Sequence, residues 1–326
     1  MAVPAASGLA LSVRGLVKRF GDRTALAGLD LSVPPGVVYG FLGPNGAGKT
    51  TTMRVLTGLI HADAGTVEML GERFTRGHRR LLFNVGALVE APAFYPYLSG
   101  RANLEALAAT GVATPRARIG ELLEQVGLTD RASDKVSRYS LGMKQRLGIA
   151  AALLGDPKLL LLDEPANGLD PAGIVAMRDT LRTIASTGKT VLVSSHLLPE
   201  IQQMADVVGI INRGRLVREG PIQQLLSGEG QVRARIAAAE VSTAVAAAEA
   251  LAGAGSVQPE ADGERRWITV RIAPSRAADV NRALAGAGVY ASALEAGTDL
   301  ESLFLELTGG EGAGPSAGAR TLGGVA

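Results

Sequence analysis

Eight consecutive residues, Gly43-Pro44-Asn45-Gly46-Ala47-Gly48-Lys49-Thr50, fit the pattern G-x-x-x-x-G-K-[ST]. Each type has a task if the ligand is a chain of phosphates. Glycines let backbone N–H groups turn inward around phosphate oxygens. A helix that begins at Lys49 points its positive end at the same anion. Lys49 brings a mobile cation to the β- and γ-phosphates, and Thr50 offers a hydroxyl oxygen to Mg²⁺. Thr51 follows it and is counted with the phosphate-binding set.

The second chemical element is Leu159-Leu160-Leu161-Leu162-Asp163-Glu164-Pro165. An apolar strand ending in two acids is odd for a core, because an unpaired carboxylate is costly to bury. Asp163 suits an Mg²⁺ site, directly or through water. Glu164 is next along and points elsewhere, so it can polarise an attacking water. Together the two elements predict hydrolysis of a nucleoside triphosphate.

Between them lies Tyr139-Ser140-Leu141-Gly142-Met143-Lys144-Gln145-Arg146. This segment is similar to the signature LSGGQ of the ATP-binding cassette (ABC) ATPases, and the resemblance covers about residues 9–225. It implies that Ser140 and Gly142 contact the γ-phosphate from the opposite subunit of a dimer. Leu141 and Met143 depart from the common pattern. By the same resemblance Phe20, in Lys18-Arg19-Phe20-Gly21, stacks on adenine. Asn167-Gly168-Leu169-Asp170 looks like the D-loop, so Asp170 sits at the nucleotide interface. His196, after Ser194-Ser195, resembles the switch histidine that contacts the γ-phosphate.

Glu90, in Leu88-Val89-Glu90-Ala91-Pro92, stands where the family usually has Gln. There it would join the nucleotide site and offer Mg²⁺ a charged ligand. That Glu, with Ser140 to Arg146, resembles the branch of bacitracin and lantibiotic-immunity transporters. Daunorubicin-type exporters share the C-terminal region, whose end is similar to the segment 300–308.

The elements that must hold these residues are legible as patterns. Residues 9–13 and 29–33 alternate apolar and polar and read as half-buried antiparallel strands. The runs 37–42, 159–162 and 190–194 read as strands buried on both faces. Helices are expected at 49–59 and 172–186, and 101–154 is mainly helical by pattern. Strands 207–212 and 216–219 flank Arg213-Gly214, a hairpin turn. Alternating strands and helices mean a parallel sheet. After Pro221, strands at 231–236 and 265–272 and helices at 240–251 and 277–284 make a small α+β unit. Thr298-Asp299-Leu300-Glu301 is a capping box ahead of Leu303, Phe304 and Leu307.

The expected fold is therefore α/β: a P-loop ABC cassette with a mainly parallel mixed sheet, an antiparallel β subdomain and a helical subdomain, plus a C-terminal α+β appendage. The expected bounds are 9–225 for the cassette, with the helical subdomain at about 91–155, then 226–308 for the appendage. Seven of the last eighteen residues, 309–326, are Gly, so a disordered tail is expected there.

Composition narrows the function. The net charge of +2 gives no pull towards nucleic acid. With no cysteine, disulfides and thiolate chemistry are excluded. His61, His78 and His196 are too scattered to bind a metal together. Residues 1–8 lack the pattern of a signal peptide. No run approaches the roughly 18 apolar residues that span a bilayer. The expectation is a homodimer around ATP and Mg²⁺ that drives a separate integral-membrane permease from the cytoplasmic face, with export of a drug or peptide. The permease should dock near Phe94-Tyr95-Pro96-Tyr97, which holds three of the chain's eleven Phe and Tyr residues. The alternative is a soluble ABC ATPase acting on translation or DNA. One cassette, no cysteine and no long heptads speak against it.

Overall fold

Three apolar segments, Val38–Leu42 (β3), Leu159–Asp163 (β7) and Thr190–Ser195 (β8), are buried at every residue. Side chains that leave both faces apolar suit the middle of a parallel sheet, where helices cover each side. The computed structural model describes residues 8–307 except Ala91, 111–114, 228–229, 263–264, 297–299, 301–303 and 305–306. The chain divides into two units, Met1–Ile222 and Gln223–Ala326.

The first unit opens with β1 (Leu11–Phe20) and β2 (Arg23–Val33), an antiparallel pair turned by Gly21-Asp22. After β3 come α1 (Lys49–Leu56), β4 (Ala64–Met69), β5 (Glu72–Arg73) and β6 (Val85–Leu88). Three helices follow, α2 (Gly100–Ala108), α3 (Arg116–Gln125) and α4 (Leu141–Ala152), in the stretch expected to be mainly helical. Then β7, α5 (Pro171–Ser186), β8, α6 (Leu198–Met204), β9 (Val207–Asn212) and β10 (Arg215–Pro221) complete the unit.

Two sheets result. One is antiparallel, in the order β2-β1-β4-β5. The other runs β10-β9-β3-β8-β7-β6, parallel from β9 to β6 with β10 antiparallel at its edge. Helix α1 lies between them. Its Met53 and Leu56 share a core with Leu11, Leu29 and Leu31 of one sheet and with Phe41 and Leu161 of the other. Arg213 and Gly214 both have positive φ, 49° and 76°, the conformation a tight type I′ hairpin turn requires.

Two details differ from the expectation. Helix α1 stops at Leu56 rather than 59, because Gly58 takes φ 71° and ends it in the left-handed form. Ser12 and Ser32, expected on an exposed face, are buried opposite one another. The edge of the second sheet covers them: the Ser32 N–H donates to Glu219 Oε1 of β10 at 2.9 Å. The same carboxylate accepts the buried Tyr39 hydroxyl at 2.5 Å. Burial, then the Glu219 charge, holds the Tyr39 phenol well above its ordinary pKa.

Helix α7 (Ile222–Ser227) marks the division. The second unit runs β11 (Gln231–Ala237), α8 (Val241–Ala252), β12 (Val257–Asp262), β13 (Arg265–Arg271), α9 (Ala277–Gly286) and β14 (Ala293–Ala296). Its sheet order, β12-β13-β11-β14, is the ferredoxin-like βαββαβ arrangement. Val232, Ala234 and Ile236 alternate into a core with Ala244, Ala248, Val280 and Leu284 of the helices. On the other face of β11, the Arg233 guanidinium lies 4.8 Å from the Trp267 ring centroid and pairs with Glu260 at 3.0 Å. Leu300 and Phe304 are buried, as the apolar spacing around them requires. Thr298, Asp299 and Glu301 of the expected capping box, and the tail 309–326, lie outside the described residues.

Candidate active site

The chain leaves β3 through Gly43 and enters α1 at Lys49. Two glycines make that passage possible. A Cβ on Gly43 would sit 2.5 Å from the Ile211 carbonyl oxygen. Gly48 has φ 115°, and a Cβ there would lie 2.8 Å from the Ala25 carbonyl oxygen. The start of α1 therefore reaches the loop without a side chain in the way, and its free N–H groups and positive end face the cavity. Ala47, between these glycines, is buried.

Lys49 is 6% exposed. Its Nζ donates to the carbonyls of Gly43 at 2.6 Å and Pro44 at 3.3 Å, and lies 3.2 Å from Glu164 Oε1. Asp163 ends β7 opposite Ser194 of β8, whose hydroxyl donates to Asp163 Oδ1 at 2.6 Å. Glu164 then turns away at φ 49°, left-handed backbone that costs a non-glycine residue about 1–3 kcal/mol. Its N–H is held by Ser194, 3.0 Å from the hydroxyl and 3.2 Å from the carbonyl. This turn separates the two acids. Asp163 stays in the sheet, and Glu164 swings between Lys49 and His196. His196 Nδ1 is 2.7 Å from Glu164 Oε2.

Lys49, Glu164 and His196 thus form one connected row of polar groups at the edge of a cavity of about 510 Å³. Its lining includes Phe20, Asn45, Gly46, Gly48, Thr50 and Thr51. Phe20, 48% exposed, has Lys18 Nζ 5.3 Å from its ring centroid. Lys18 is itself paired with Asp63 at 3.1 Å. The Arg19 N–H, then Lys18, hold the Asp63 carboxyl below its ordinary pKa. Arg23, Ala25 and Asn167 also line the cavity.

Other expected residues lie elsewhere. Ser140 caps α4, its hydroxyl accepting from the Met143 N–H at 3.2 Å, and Gly142 follows in the same first turn. Asp170 caps α5, accepting from the Gly173 N–H at 3.0 Å. These two helix starts touch: Leu141 Cδ2 is 3.0 Å from where a Cβ on Gly168 would be. Ser140 and Asp170 are both exposed. Glu90, expected beside the nucleotide, is not among the cavity-lining residues. Its carboxylate pairs with Arg54 of α1, and its backbone has φ 69°. Arg54 lies four residues after Thr50, one turn along the same face of α1.

The cap makes a prediction independent of any ligand. Asp170→Ala should destabilise the first unit by about 1 kcal/mol, and Asp170→Asn by much less, because Asn caps equally well. Denaturant midpoints decide this. Equal losses would mean the charge matters and the cap does not.

The family model for ABC transporters matches residues 26–167. The bacitracin transport ATP-binding protein BcrA of Bacillus licheniformis is 46% identical over 211 residues, 64% of this chain and 69% of that one. The daunorubicin resistance ATP-binding protein DrrA3 of Streptomyces coeruleorubidus is 39% identical over 307 residues, 92% of this chain and 96% of that one. The chain belongs to the ATP-binding proteins of ABC transporters. Its likeness to DrrA3 extends across both units. The ADP conformation of MJ1267, an ATP-binding cassette of an ABC transporter, aligns with a TM-score of 0.62 at 24% identity, over 68% of this chain and 95% of that one. That match shows the fold alone. The resemblance read from the sequence holds, and the chain is an ATPase subunit that powers transport. ABC subunits of this kind work with a membrane permease. Among the described residues no helix is long and apolar enough to cross a membrane.

Proposed function

We propose that two copies of this ABC subunit close head to tail on two ATP molecules, and that closure drives a separate permease for export of a drug or an antimicrobial peptide. The observation that carries the reading is the split of the site. Lys49, Glu164 and His196 gather at one cavity. Ser140, Gly142 and Asp170 lie on adjoining helix starts outside it. Of these, Ser140 and Asp170 are exposed and Gly142 is half-buried, so this set is free to meet the cavity of a second copy. A two-fold interface of this kind uses the same surface from both partners.

In the cavity Phe20 would take the adenine ring, with the backbone of Gly43 to Gly48 and Lys49 on the phosphates. The oxygen donors fit Mg²⁺. Thr50 lines the cavity, and Asp163 lies at the end of the same sheet with one carboxylate oxygen held by Ser194. When bound, the ion would neutralise charge on the phosphates. Glu164 would orient the attacking water, and His196, fixed by Glu164, would hold the γ-phosphate end. The export reading rests on BcrA and DrrA3, named for bacitracin transport and daunorubicin resistance. Co-expression with the permease in a sensitive strain tests it. Raised tolerance to a peptide antibiotic or an anthracycline is expected, and it should vanish with Lys49→Ala.

The permease would dock at Phe94 to Tyr97. Tyr95 and Tyr97 are 54% and 64% exposed, with ring centroids 5.9 Å apart. Their loop is held from beneath. The side chain of Asn103, 1% exposed, accepts from the Tyr95 N–H at 2.8 Å and donates to the Tyr95 carbonyl at 3.1 Å. A rigid loop that displays two aromatic rings loses little entropy on binding. A groove of about 430 Å³ along the edge strand β6 adds Phe83, 70% exposed, and Leu107. Tyr97→Ala should keep the thermal midpoint of the isolated subunit within about 2 °C, since an exposed side chain contributes little to stability. Recovery of permease in a pull-down should fall at least about fivefold. Full recovery with the variant would place the permease on another face.

A further inference from the structure

The β1–β2 hairpin pairs Phe20 directly with Arg23 across its two-residue turn. Directly opposed residues project to the same face with Cβ atoms about 5 Å apart. Both line the cavity. Arg23 Nη2 reaches the phosphate loop, 3.5 Å from where a Cβ on Gly46 would be. The guanidinium therefore spans from the aromatic ring to the loop.

Among the described residues no carboxylate lies within 4.0 Å of the guanidinium. The neighbouring cation of the hairpin, Lys18, has Asp63, and Lys49 has Glu164. A free guanidinium at the wall of a cavity suits a phosphate oxygen, which it can bind through two parallel N–H groups. Position along the cavity selects the phosphate. Lys49, Glu164 and His196 make up one end of the site, where the terminal phosphates belong. Arg23 sits beside the aromatic residue instead, on the path from base to phosphates.

We propose that Arg23 binds the α-phosphate of the nucleotide, an anchor that holds ATP and ADP alike. This rests on the reading of the cavity as the nucleotide site. A contact to a phosphate that hydrolysis leaves in place strengthens substrate and product binding equally. It lowers KM without raising kcat.

The test measures Kd for Mg-ATP and Mg-ADP with the full chain and its variants Arg23→Gln, Arg23→Lys and Lys49→Ala. Loss of a charge-assisted hydrogen bond should raise both Kd values about tenfold in Arg23→Gln, by the same factor. Arg23→Lys keeps the charge and should recover most of that. KM for ATP should rise with Kd while kcat at saturation stays within about twofold. Arg23 is exposed at a hairpin end, so the ligand-free melting curve should not move. The proposal is overturned if either nucleotide binds Arg23→Gln as tightly as wild type, or if ATP is weakened and ADP is not. It is equally overturned if kcat falls while KM holds, or if Lys is no better than Gln. Lys49→Ala separates the two levels. If it loses ATP while Arg23→Gln does not, only the Arg23 anchor fails. If it too binds like wild type, the nucleotide cavity itself is misplaced.

Discussion

Glu164→Gln should still bind ATP and almost cease to hydrolyse it, with turnover at least about a hundredfold below wild type. The amide keeps the shape of the carboxylate but is a far weaker base towards water. Two geometric facts sharpen this. Glu164 Oε2 is 2.7 Å from His196 Nδ1, so the carboxylate fixes the imidazole as well as facing the cavity. Oε1 is 3.2 Å from Lys49 Nζ, where it competes with any phosphate for that cation. Removing the charge frees Lys49, so ATP affinity should rise while turnover falls. In Mg-ATP the variant should elute from size exclusion as a lasting dimer, where wild type returns to monomer as ATP is consumed. A variant hydrolysing at the wild-type rate would remove Glu164 from the role of base.

The same residue shows why an acid pair stands at the end of β7. The sheet fixes Asp163 against Ser194. Had the strand continued, Glu164 would point to the opposite face. The left-handed turn at φ 49° instead sends it to Lys49 and His196. The strain of about 1–3 kcal/mol is carried because the Glu164 N–H donates to both the hydroxyl and the carbonyl of Ser194, which hold the backbone there.

Much of this was readable from residue types. The phosphate loop needs glycines where a Cβ would strike backbone, and such positions leave a pattern in the chain. The buried strands β3, β7 and β8 announced themselves as apolar runs. Strands β4, β5, β6, β12 and β14 and helices α6 and α7 were not anticipated. Each is short, and β6 has only four residues, one of them Gly86, where a Cβ would come 2.2 Å from the Ala152 carbonyl oxygen. A glycine demanded by packing against α4 looks, in sequence, like a loop.

The site was legible in its motif residues and illegible where partners come from distant segments. Arg23 belongs to the cavity because the β1–β2 hairpin converges there with the phosphate loop, whereas Asn167, which also lines it, was already marked as the start of the D-loop segment. The pairing of Phe20 with Arg23 across Gly21-Asp22 was the one available signal for Arg23. Glu90 is the opposite case. Its place between sheet and helices suggested a ligand to Mg²⁺, yet its nearest charge is Arg54 on α1. Nothing in the spacing of residues 54 and 90 forecasts that pair. The pair joins the helix that begins at the phosphate loop to the segment leading into Phe94 and Tyr97.

Lys49→Ala should abolish ATP-dependent stabilisation while leaving the fold standing. Saturating ATP stabilises a binding-competent protein by about 2.7 kcal/mol at a hundred times its Kd. That increment should be present in wild type and fall to near zero in the variant at the same ATP concentration. Lys49 is buried at 6% exposure, so a structural role needs weighing against the binding role. Its Nζ holds the carbonyls of Gly43 and Pro44, groups of the loop itself, and the Glu164 carboxylate. None of these belongs to the apolar core, which Met53 and Leu56 anchor from the same helix. Removing the cation leaves Glu164 with His196 as its remaining partner, so the carboxylate is not stranded. The ligand-free midpoint should therefore shift by only a few degrees. Lys49→Arg provides the control: it keeps the charge, but a planar fork replaces the compact ammonium in a loop closed around two carbonyls. It should fold, and it should bind ATP more weakly than wild type and better than Lys49→Ala. An Ala variant stabilised by ATP as much as wild type would show that the loop holds no phosphate. An Ala variant that unfolds, beside an Arg variant with wild-type affinity, would assign Lys49 to the fold.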